Sequence, residues 1–391
     1  MGHGDAFVLR DPNGIRPCFF MQNDEIVVVT SERPVLQTAF NIPIENVQEL
    51  TPGHALIIKR NGEVSMPEIR SPKARTSCSF ERIYFSRGSD ADIYQERKAL
   101  GHNISRKVLE SLKYDIDNTV FSFIPNTAET AFFGMVEGAN EWLNGEKRKR
   151  ILDLNGELSD ERLREVLAMK IRTEKLAVKD AKLRTFIADD LHRDEMVAHV
   201  YDVTYGVVRP GKDTLVIMDD SIVRGTTLKQ SILRIMDRLK PKKVIIVSSA
   251  PQIRYPDCYG IDMAKLGDFI AFQAAIALHK ERGTEYIVEE VYEQCVAQDA
   301  FAKEEMKNVV KRIYDSFSEQ EISDKIAQLV TPSDMNAEVE VIYQNLEDLH
   351  EACPGHTGDW YFSGNYPTPG GNKVVNRAFI NFFNKVNERA Y

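Results

Sequence analysis

The clearest pattern along the chain lies between residues 214 and 247. Residues 215–218 form an unbroken apolar run, which predicts a strand buried on both faces. After a turn, apolar residues recur at intervals of three and four. This spacing predicts a helix opened by Thr226 and Thr227, with a buried face made of Leu228, Ile232, Ile235, Met236 and Leu239. Pro241 ends this helix, and residues 244–247 form the next apolar run, so the alternation predicts a βαβ unit in an α/β protein with a parallel sheet.

Polar residues gather at the carboxyl end of the first of these strands. Asp219 and Asp220 follow the strand directly, and ligands bind at this end of the strands in open α/β sheets. Successive backbone N–H groups at Gly225, Thr226 and Thr227 form a concave positive site for a phosphate at the start of the helix. Two acids beside a phosphate repel it unless ribose hydroxyls and Mg²⁺ lie between them. The turn is thus predicted to bind a phosphorylated sugar with Mg²⁺; the alternative is an ordinary βα turn with acidic, solubilising residues.

This stretch resembles a known family. Residues 216–227 resemble the phosphoribosyl pyrophosphate (PRPP) signature of the phosphoribosyltransferases. DDSIVRGTT, together with SAPQIRYPDCYGID at 249–262, resembles the amidophosphoribosyltransferases, also called glutamine PRPP amidotransferases. The resemblance implies an α/β type I phosphoribosyltransferase fold, a parallel sheet with flanking helices, over residues 76–280. It also implies that Asp219 and Asp220 are catalytic acids that hold the ribose hydroxyls and Mg²⁺. The implied substrate-binding residues, which cradle the 5-phosphate, are Ser221, Ile222, Val223, Arg224, Gly225, Thr226 and Thr227.

Composition and charge narrow the class of protein. The chain has 391 residues, enough for two or three domains, and its 43% hydrophobic and 28% charged residues are typical of a globular protein. Its net charge of −9 argues against a nucleic-acid-binding surface. No apolar stretch approaches the roughly 18 residues of a membrane span. The five scattered cysteines favour a reducing compartment, so we expect a cytoplasmic protein.

Residues 1–75 contain short strand-like runs at 6–9, 25–30 and 54–59, separated by turns. GDAFVLRDPNGIRP at 4–17 and TSERPVLQT at 30–38 resemble the last part of the family's glutaminase domain, which implies a partial Ntn-hydrolase-like αββα domain. In the family that domain begins with a catalytic cysteine, whereas position 1 is Met1 and the first cysteine here is Cys18. We therefore expect a chain without the front of the glutaminase domain, and no glutamine hydrolysis from this polypeptide alone.

The stretch from 77 to 101, SCSFERIYFSRGSDADIYQERKALG, resembles the family's linker into the transferase domain, except that Gly88 stands where proline is common. A helix is predicted at 102–112 and a buried strand at 120–124. The resemblance gives Thr127, just after that strand, a role as a Mg²⁺ ligand. From spacing alone Thr127 fits equally well as a helix N-cap, since Glu129 and an apolar stretch follow.

Residues 145–182 are charge-rich and predict a solvated helical insertion, with Ser159 as an N-cap and an apolar stripe at Leu163, Val166, Leu167 and Ile171. RTFI at 184–187 occurs in the family just before a mobile loop that closes over PRPP, which implies a lid at 183–210. Arg184 lies in the matching part and is predicted to be catalytic. Other groups able to reach the pyrophosphate are His192, Arg193, His199 and Tyr201, each of which fits an ordinary surface residue as well.

Residues 281–391 are predicted to form a helical C-terminal extension that ends in a helix at 376–387. Some family members hold an iron–sulfur cluster with four cysteines, but only Cys78 stands at such a position. The others correspond to Asp257 and, approximately, to Gly358 and Tyr361. No CxxC occurs in the chain, so no cluster is expected. A zinc site could be built from His350, Cys353, His356 and Asp359, although their spacing favours a surface turn.

The resemblance implies the transfer of an amino group to C1 of PRPP, as ammonia that glutamine supplies in intact family members. The products are 5-phosphoribosylamine and pyrophosphate, and the reaction is the first step of de novo purine biosynthesis. The resemblance further implies Mg²⁺ as the cofactor, purine nucleotides as inhibitors and a homo-oligomer. Two other functions are compatible with the same cradle: a base-salvage phosphoribosyltransferase, and a non-catalytic protein that senses PRPP or a nucleotide.

Overall fold

A computed structural model describes residues 4–153, 159–179, 201–261 and 263–390. Its N-terminal elements are, in chain order, β1 (Ala6–Leu9), β2 (Phe19–Gln22), β3 (Val27–Thr30), α1 (Arg33–Phe40), β4 (Gln48–Glu49), β5 (Ala55–Ile58) and β6 (Val64–Ser65). They form two three-stranded antiparallel sheets, β1–β5–β6 and β3–β2–β4, around a small core of Phe20, Leu50 and Leu56. The three strand regions predicted here are found, whereas β2 is a strand that the sequence pattern did not predict.

The larger part of the chain forms a parallel sheet between two layers of helices. Its elements are, in chain order, α2 (Ala91–Ser111), β7 (Thr119–Phe123), α3 (Glu129–Asp153), α4 (Asp160–Ala168), β8 (Ala177–Lys179), β9 (Tyr201–Val203), β10 (Thr214–Asp219), α5 (Leu233–Asp237), β11 (Lys243–Ser248), α6 (Ile270–Arg282), α7 (Tyr286–Gln298), α8 (Glu319–Val330), β12 (Glu338–Tyr343), α9 (Leu346–Ala352), α10 (Trp360–Ser363) and α11 (Pro369–Phe383). The parallel strands lie in the order β12–β11–β10–β7. Within the described residues, no helix combines the length and apolar character needed to cross a membrane.

Alternate residues of the central strand β10 face the two helical layers. Leu215 and Ile217 pack in the core that includes residues of α6 and α8, whereas Val216 and Met218 pack against α2 and α3. Strand β10 is also hydrogen-bonded on both edges, to β7 and to β11. The unbroken apolar run at 215–218 therefore reflects a strand that is buried on both faces, as predicted.

The helix after β10 also agrees with the sequence pattern. It starts at Thr226 and runs through a π-helical segment, Leu228–Ile232, into α5. All five residues of the predicted apolar face are buried. The chain leaves the helix before Pro241, through Lys240 at φ 52°, and enters β11. The βαβ unit predicted from the sequence is therefore present.

Helix α2 corrects one predicted boundary, because it begins at Ala91 and not at 102. Asp90 supplies the cap: its carboxylate accepts hydrogen bonds from the backbone N–H groups of Asp92 and Ile93, at 3.0 and 3.4 Å. Such a cap satisfies two of the amides that a helix start leaves without acceptors. The stretch from 91 to 101, interpreted from sequence as part of a linker, is thus the first half of a long helix.

The charge-rich region from 145 to 182 is only partly as predicted. Ser159 caps α4 by accepting from the Arg162 amide at 3.2 Å, and no residue of α4 is buried. The predicted stripe, however, is wrong at Leu167, which is 57% exposed, and Ile171 is buried only beyond the end of the helix. Residues 145–153 are also the continuation of α3, which packs on α2 through its earlier turns.

The C-terminal region corrects a second prediction, since residues 281–391 are not purely helical. Strand β12 pairs in parallel with β11 and completes the central sheet. Its two exposed-edge acids, Glu338 and Glu340, bind the Lys243 ammonium at 3.0 and 2.7 Å. Because of these glutamates, the sequence pattern favoured a solvent-exposed segment over a strand. The last helix, α11, starts at Pro369, seven residues before the predicted helix.

The amino end of β10 is held by a buried carboxylate. Asp213, directly before the strand, is fully buried and accepts from the Arg172 guanidinium at 2.9 and 3.0 Å. It also accepts from the backbone and side chain of Arg209, at 2.8 and 2.6 Å. These donors hold the pKa of the Asp213 carboxyl well below its usual range, although burial alone would raise it. The paired charges tie together the segments on both sides of β8 and β9.

We expect Asp213→Asn to lower the free energy of unfolding at pH 7 by about 3 kcal/mol, because two arginines lose their buried carboxylate partner. The folded pKa of Asp213 is depressed, so its stabilisation exists above the pKa of the unfolded state and fades as the pH falls through the folded value. Urea unfolding at pH 7 and at pH 3 measures this. A deficit in the variant that is as large at pH 3 as at pH 7 would contradict the assignment.

Candidate active site

The candidate site lies where the parallel strands end. Asp219 is the last residue of β10, in register with Ser248 of β11, and β7 ends opposite Met218 at Phe123. The polar residues that follow these strands therefore meet at one edge of the sheet. This is the edge at which open α/β sheets bind ligands.

The two adjacent acids have few internal partners. The Asp220 amide donates to Asp219 Oδ1 at 2.9 Å, and Ser221 Oγ donates to Asp220 Oδ1 at 2.9 Å. The Thr127 hydroxyl also donates to the Asp220 carboxylate. Ser249 binds the acid segment from β11, through a hydrogen bond from its Oγ to the Asp220 carbonyl at 3.1 Å. Within the described residues, no lysine, arginine or histidine forms an ion pair with either carboxylate.

This environment raises the pKa of both acids. Burial raises the pKa of Asp219, and the neighbouring charge of Asp220 raises it further. Burial also raises the pKa of Asp220, while hydrogen bonds from Ser221 and Thr127 and the positive charge of Arg97 oppose this effect. Two hard carboxylates and a hydroxyl, close together and without an ion pair to a protein cation among the described residues, have the donor chemistry that Mg²⁺ prefers. The residues present therefore fit a Mg²⁺ ion.

The turn from 221 to 227 forms the second part of the site. Gly225 has φ +71°, a left-handed conformation that glycine adopts without steric cost, and the helix starts at the next residue. The backbone N–H groups in the first turn of a helix have no acceptor within the helix, so they are available to an anion. A Cβ atom at Gly225 would lie 2.8 Å from Val330 Cγ1, since α8 packs against the turn. On its other side the Val223 carbonyl accepts from the Ile270 amide of α6 at 2.8 Å, so the cradle is fixed in place.

The predicted site residues share one cavity of about 740 Å³, apart from those outside the described residues. Its lining includes Thr127, Asp219, Asp220 and all seven residues from Ser221 to Thr227, together with Tyr201. Arg224 is at the rim, where it pairs with Asp268 at 3.4 Å. The alternative prediction for Thr127 was a helix N-cap. Helix α3 starts at Glu129, so Ala128 and not Thr127 directly precedes it. The predictions for Arg184, His192, Arg193 and His199 lie outside the described residues.

Sequence reasoning missed one wall of the cavity. Phe80, Tyr84 and Phe85 line it as an aromatic cluster, with ring centroids 4.8 Å apart for Phe80 and Phe85 and 5.4 Å apart for Tyr84 and Phe85. We call these three residues the aromatic wall. Tyr84 shares this lining with the acid pair; burial raises its pKa, and the charges of Asp220 and Asp219 raise it further. The only signal for the wall in the sequence was the FERIYF run inside the segment that resembles the family's linker.

Two further cavity residues come from the short β8–β9 pair. Lys179 ends β8 and stands opposite Tyr201 in the antiparallel register. Both side chains line the cavity, and the Asp219 and Asp220 charges contribute to a raised pKa of Tyr201, after burial. Lys179 adds a second cation to the lining, besides Arg224. The sequence offered no way to choose it from the other lysines of the charge-rich segment.

The positions compared with an iron–sulfur cluster are close together and filled by protein. Asp257 accepts from the Tyr361 hydroxyl at 2.7 Å, from Trp360 Nε1 at 3.3 Å and from Arg16 Nη2 at 3.4 Å. Burial raises the pKa of the nearby Cys78 thiol to about 12. One protonated thiol and an internally bonded carboxylate do not fit a cluster, which needs several thiolates.

The possible zinc constellation near the C-terminus does not converge on a metal site either. His350 Nε2 lies 3.2 Å from Asp359 Oδ2, while burial raises the pKa of the Cys353 thiol. Burial also lowers the pKa of His356, to about 3. Among the described residues there is no group of three or more histidine, cysteine or acidic side chains placed to hold a metal ion.

Comparison with known proteins yields curated relatives and solved structures, although no protein-family model matches the chain. The chain is 31% identical over 281 residues to an amidophosphoribosyltransferase of Pseudomonas aeruginosa, an alignment that covers 69% of this chain and 48% of the relative. It is 28% identical over 365 residues to an amidophosphoribosyltransferase of Saccharomyces cerevisiae, covering 88% of this chain and 64% of the relative. The chain thus spans about half the length of the first curated relatives that it matches.

Among solved structures, the chain is similar to a glutamine PRPP amidotransferase from B. subtilis in complex with ADP and GMP. The TM-score is 0.57 at 23% sequence identity, over 93% of this chain and 62% of that one. This likeness confirms the predicted fold class. The curated relatives confirm the resemblance to the amidophosphoribosyltransferases that the sequence motifs indicated.

We expect Asp219→Asn to raise the melting temperature of the ligand-free protein at pH 7 by about 2 °C or more, because a neutral amide removes the repulsion within the acid pair. The folded pKa of Asp219 is raised, so its stabilising contribution is complete below the unfolded pKa and is lost as the pH rises through the folded value. The gain should therefore vanish towards pH 4, which calorimetry at both pH values tests.

Asp213→Asn is the matched control, because it removes an aspartate whose pKa is shifted the other way and should lower the melting temperature. If Asp219→Asn also lowered it at pH 7, the acid pair would be a stabilising contact and not an unpaired binding site.

Proposed function

We propose that this chain, a relative of the amidophosphoribosyltransferases, binds PRPP with Mg²⁺ and transfers ammonia to C1 of the sugar. The products are 5-phosphoribosylamine and pyrophosphate, and the reaction is the first step of de novo purine biosynthesis. The observation that carries the proposal is the convergence of the acid pair and the phosphate cradle in one cavity of about 740 Å³. A phosphorylated, activated ribose has hydroxyls that fit the acid pair and a phosphate that fits the cradle.

In this proposal the turn from 221 to 227 holds the 5-phosphate through its first-turn amides and the hydroxyls of Thr226 and Thr227. Asp219 and Asp220 accept hydrogen bonds from the ribose hydroxyls. Asp219, Asp220 and Thr127, whose hydroxyl acts on the Asp220 carboxyl, would hold Mg²⁺. Bound Mg²⁺ supplies neutralisation of the charge on the pyrophosphate leaving group.

The reaction breaks the bond between C1 and the pyrophosphate oxygen, which leaves with the electron pair. Positive charge develops on C1 and the ring oxygen, and the adjacent carboxylates stabilise it electrostatically. The ammonia nitrogen forms the new bond to C1, and the resulting ammonium loses a proton to solvent. Because ammonia is already a good nucleophile, the side chains contribute mainly by positioning and by charge. The aromatic wall excludes water, which would otherwise hydrolyse the activated sugar.

The proposal also assigns the parts of the chain to domains. Residues 1–75 are the C-terminal part of a glutaminase-type domain, 76–280 form the transferase domain with a lid at 183–210, and 281–391 form an extension whose β12 joins the transferase sheet. The complex of the B. subtilis protein with ADP and GMP supports purine nucleotides as inhibitors here, and we further propose a homo-oligomer.

We expect the double variant Asp219→Asn with Asp220→Asn to lose at least about 1,000-fold of the ammonia-dependent pyrophosphate release from PRPP and Mg²⁺, since it removes both acceptors for the ribose and the metal. Asp334→Asn is the control, because this exposed carboxylate pairs only with Arg234 on the surface and lies outside the cavity. Retained turnover in the double variant would refute the role of the acid pair.

An acceptor screen separates the proposed reaction from the two other functions. With PRPP and Mg²⁺ present, ammonia should release pyrophosphate, and purine or pyrimidine bases should not. Release that depends on a base would instead identify a salvage enzyme. PRPP binding in a calorimeter without release to any acceptor would identify a sensing protein.

A further inference from the structure

Arg97 is a buried arginine close to the site that the proposed mechanism does not use. It lies on α2, is 5% exposed, and donates to three backbone carbonyls. Its Nε donates to the Arg82 carbonyl at 2.8 Å, and its Nη2 donates to the carbonyls of Tyr84 and Ser86 at 3.2 and 2.7 Å. A planar guanidinium is the side chain that can reach several carbonyls at fixed angles.

These carbonyls belong to the turn that carries the aromatic wall. Residues Glu81–Phe85 form one π-helical turn. Its backbone hydrogen-bond pattern differs from that of an α-helix and leaves carbonyls that can accept from other donors. The same turn presents Tyr84 and Phe85 to the cavity. The guanidinium therefore ties the wall to the rigid helix α2.

Gly88 makes the space that this arrangement needs. A Cβ atom at Gly88 would lie 2.9 Å from Arg97 Nη1, too close for a guanidinium that its hydrogen bonds already fix. The φ angle of Gly88 is not in the left-handed region, so the backbone itself does not require glycine there. The glycine thus goes together with the placement of Arg97.

The Arg97 guanidinium is under the electrostatic influence of the acid pair, through Asp220. Burial lowers the pKa of the guanidinium, and the Asp220 carboxylate is the largest opposing influence. Arg82, Glu32 and Cys353 are the other groups that act on it. Within the described residues no carboxylate forms an ion pair with Arg97, and burying an unpaired cation is costly. A neutral side chain could fill this space more cheaply, so a purely structural role accounts poorly for an arginine.

We propose that Arg97 is a positioning residue of the PRPP site, which holds the aromatic wall against the acid pair, and that Gly88 leaves room for its guanidinium. This inference rests on the proposed function. A wall held in place keeps water away from C1 while ammonia attacks. A displaced wall admits water, whose oxygen then forms the bond to C1, giving ribose 5-phosphate and pyrophosphate with a proton released to solvent.

The partition between the two nucleophiles is the measurement that tests this role. Pyrophosphate release from PRPP and Mg²⁺ is measured with and without ammonia, and the ratio of the two rates is compared among variants of the full chain. Loss of folded protein lowers both rates equally and leaves the ratio unchanged. The ratio therefore reports the wall and not the stability.

We expect Arg97→Lys to lower this ratio at least about tenfold with the Michaelis constant for PRPP within about threefold, because lysine keeps the charge but cannot reach three carbonyls. Gly88→Ala should lower the ratio in the same direction by displacing the guanidinium. Arg172→Lys is the matched control: it also alters an arginine with several hydrogen bonds, but at the opposite end of β10, and should leave the ratio within about twofold.

An unchanged ratio in Arg97→Lys would overturn the inference. If that variant does not fold, Gly88→Ala decides alone, and an unchanged ratio there would overturn it equally. Wild-type protein that shows no ammonia-dependent release would instead refute the proposed function, so the two failures are distinguishable.

Discussion

Two carboxylates that cannot move apart dominate the chemistry of this fold. Asp219 and Asp220 leave a strand that is bonded on both edges and buried on both faces, so the backbone cannot shift to relieve their repulsion. The hydroxyls of Ser221 and Thr127 satisfy only one of the two acids directly. The pKa of both carboxyls is raised, so this arrangement disfavours their charged forms. A divalent cation or a set of ribose hydroxyls bound to the carboxylates would stabilise their charged forms. That stabilisation would contribute to the free energy of binding.

The opposite end of the same strand shows what a stabilising aspartate looks like. Asp213 lies six residues before Asp219, directly before the strand, where Arg172 and Arg209 surround its carboxylate with donors. Its pKa is shifted down, whereas that of Asp219 is shifted up. Burial acts to raise the pKa of both carboxyls, and the arginine donors around Asp213 reverse that effect, whereas the Asp220 charge beside Asp219 adds to it. An acid that a fold keeps without cationic partners is more informative about function than one that it pairs.

Local sequence was sufficient for the centre of the site and insufficient for its walls. The strand, the acid pair and the turn lie within fifteen residues, where hydrophobic periodicity and turn chemistry act directly, and the structure has the strand and the following helix where the pattern predicted them. Tyr84 and Lys179 reach the cavity only through tertiary packing, as Arg97 reaches the turn of residues 81–86, and no periodic pattern marks these residues. The start of α2 was missed for a local reason, since its cap at Asp90 lies within a segment assigned by resemblance. Strand β12 was missed because its glutamates made the segment resemble a solvent-exposed one. Their pairing with Lys243 is visible only in the folded structure.

The N-terminal sheets are joined to the site through the same helix that holds the wall. Arg33 of α1 binds the Asp90 carboxylate, through Nε at 2.7 Å, and Asp90 in turn caps α2. On a second path Arg16 donates to Glu81 at 2.7 Å, at the start of the turn that Arg97 holds from the other side. Both paths end at the turn of residues 81–86 and neither touches the phosphate cradle. The contacts of Arg16 and Arg33 therefore connect the N-terminal part of the chain to the segment that carries the aromatic wall.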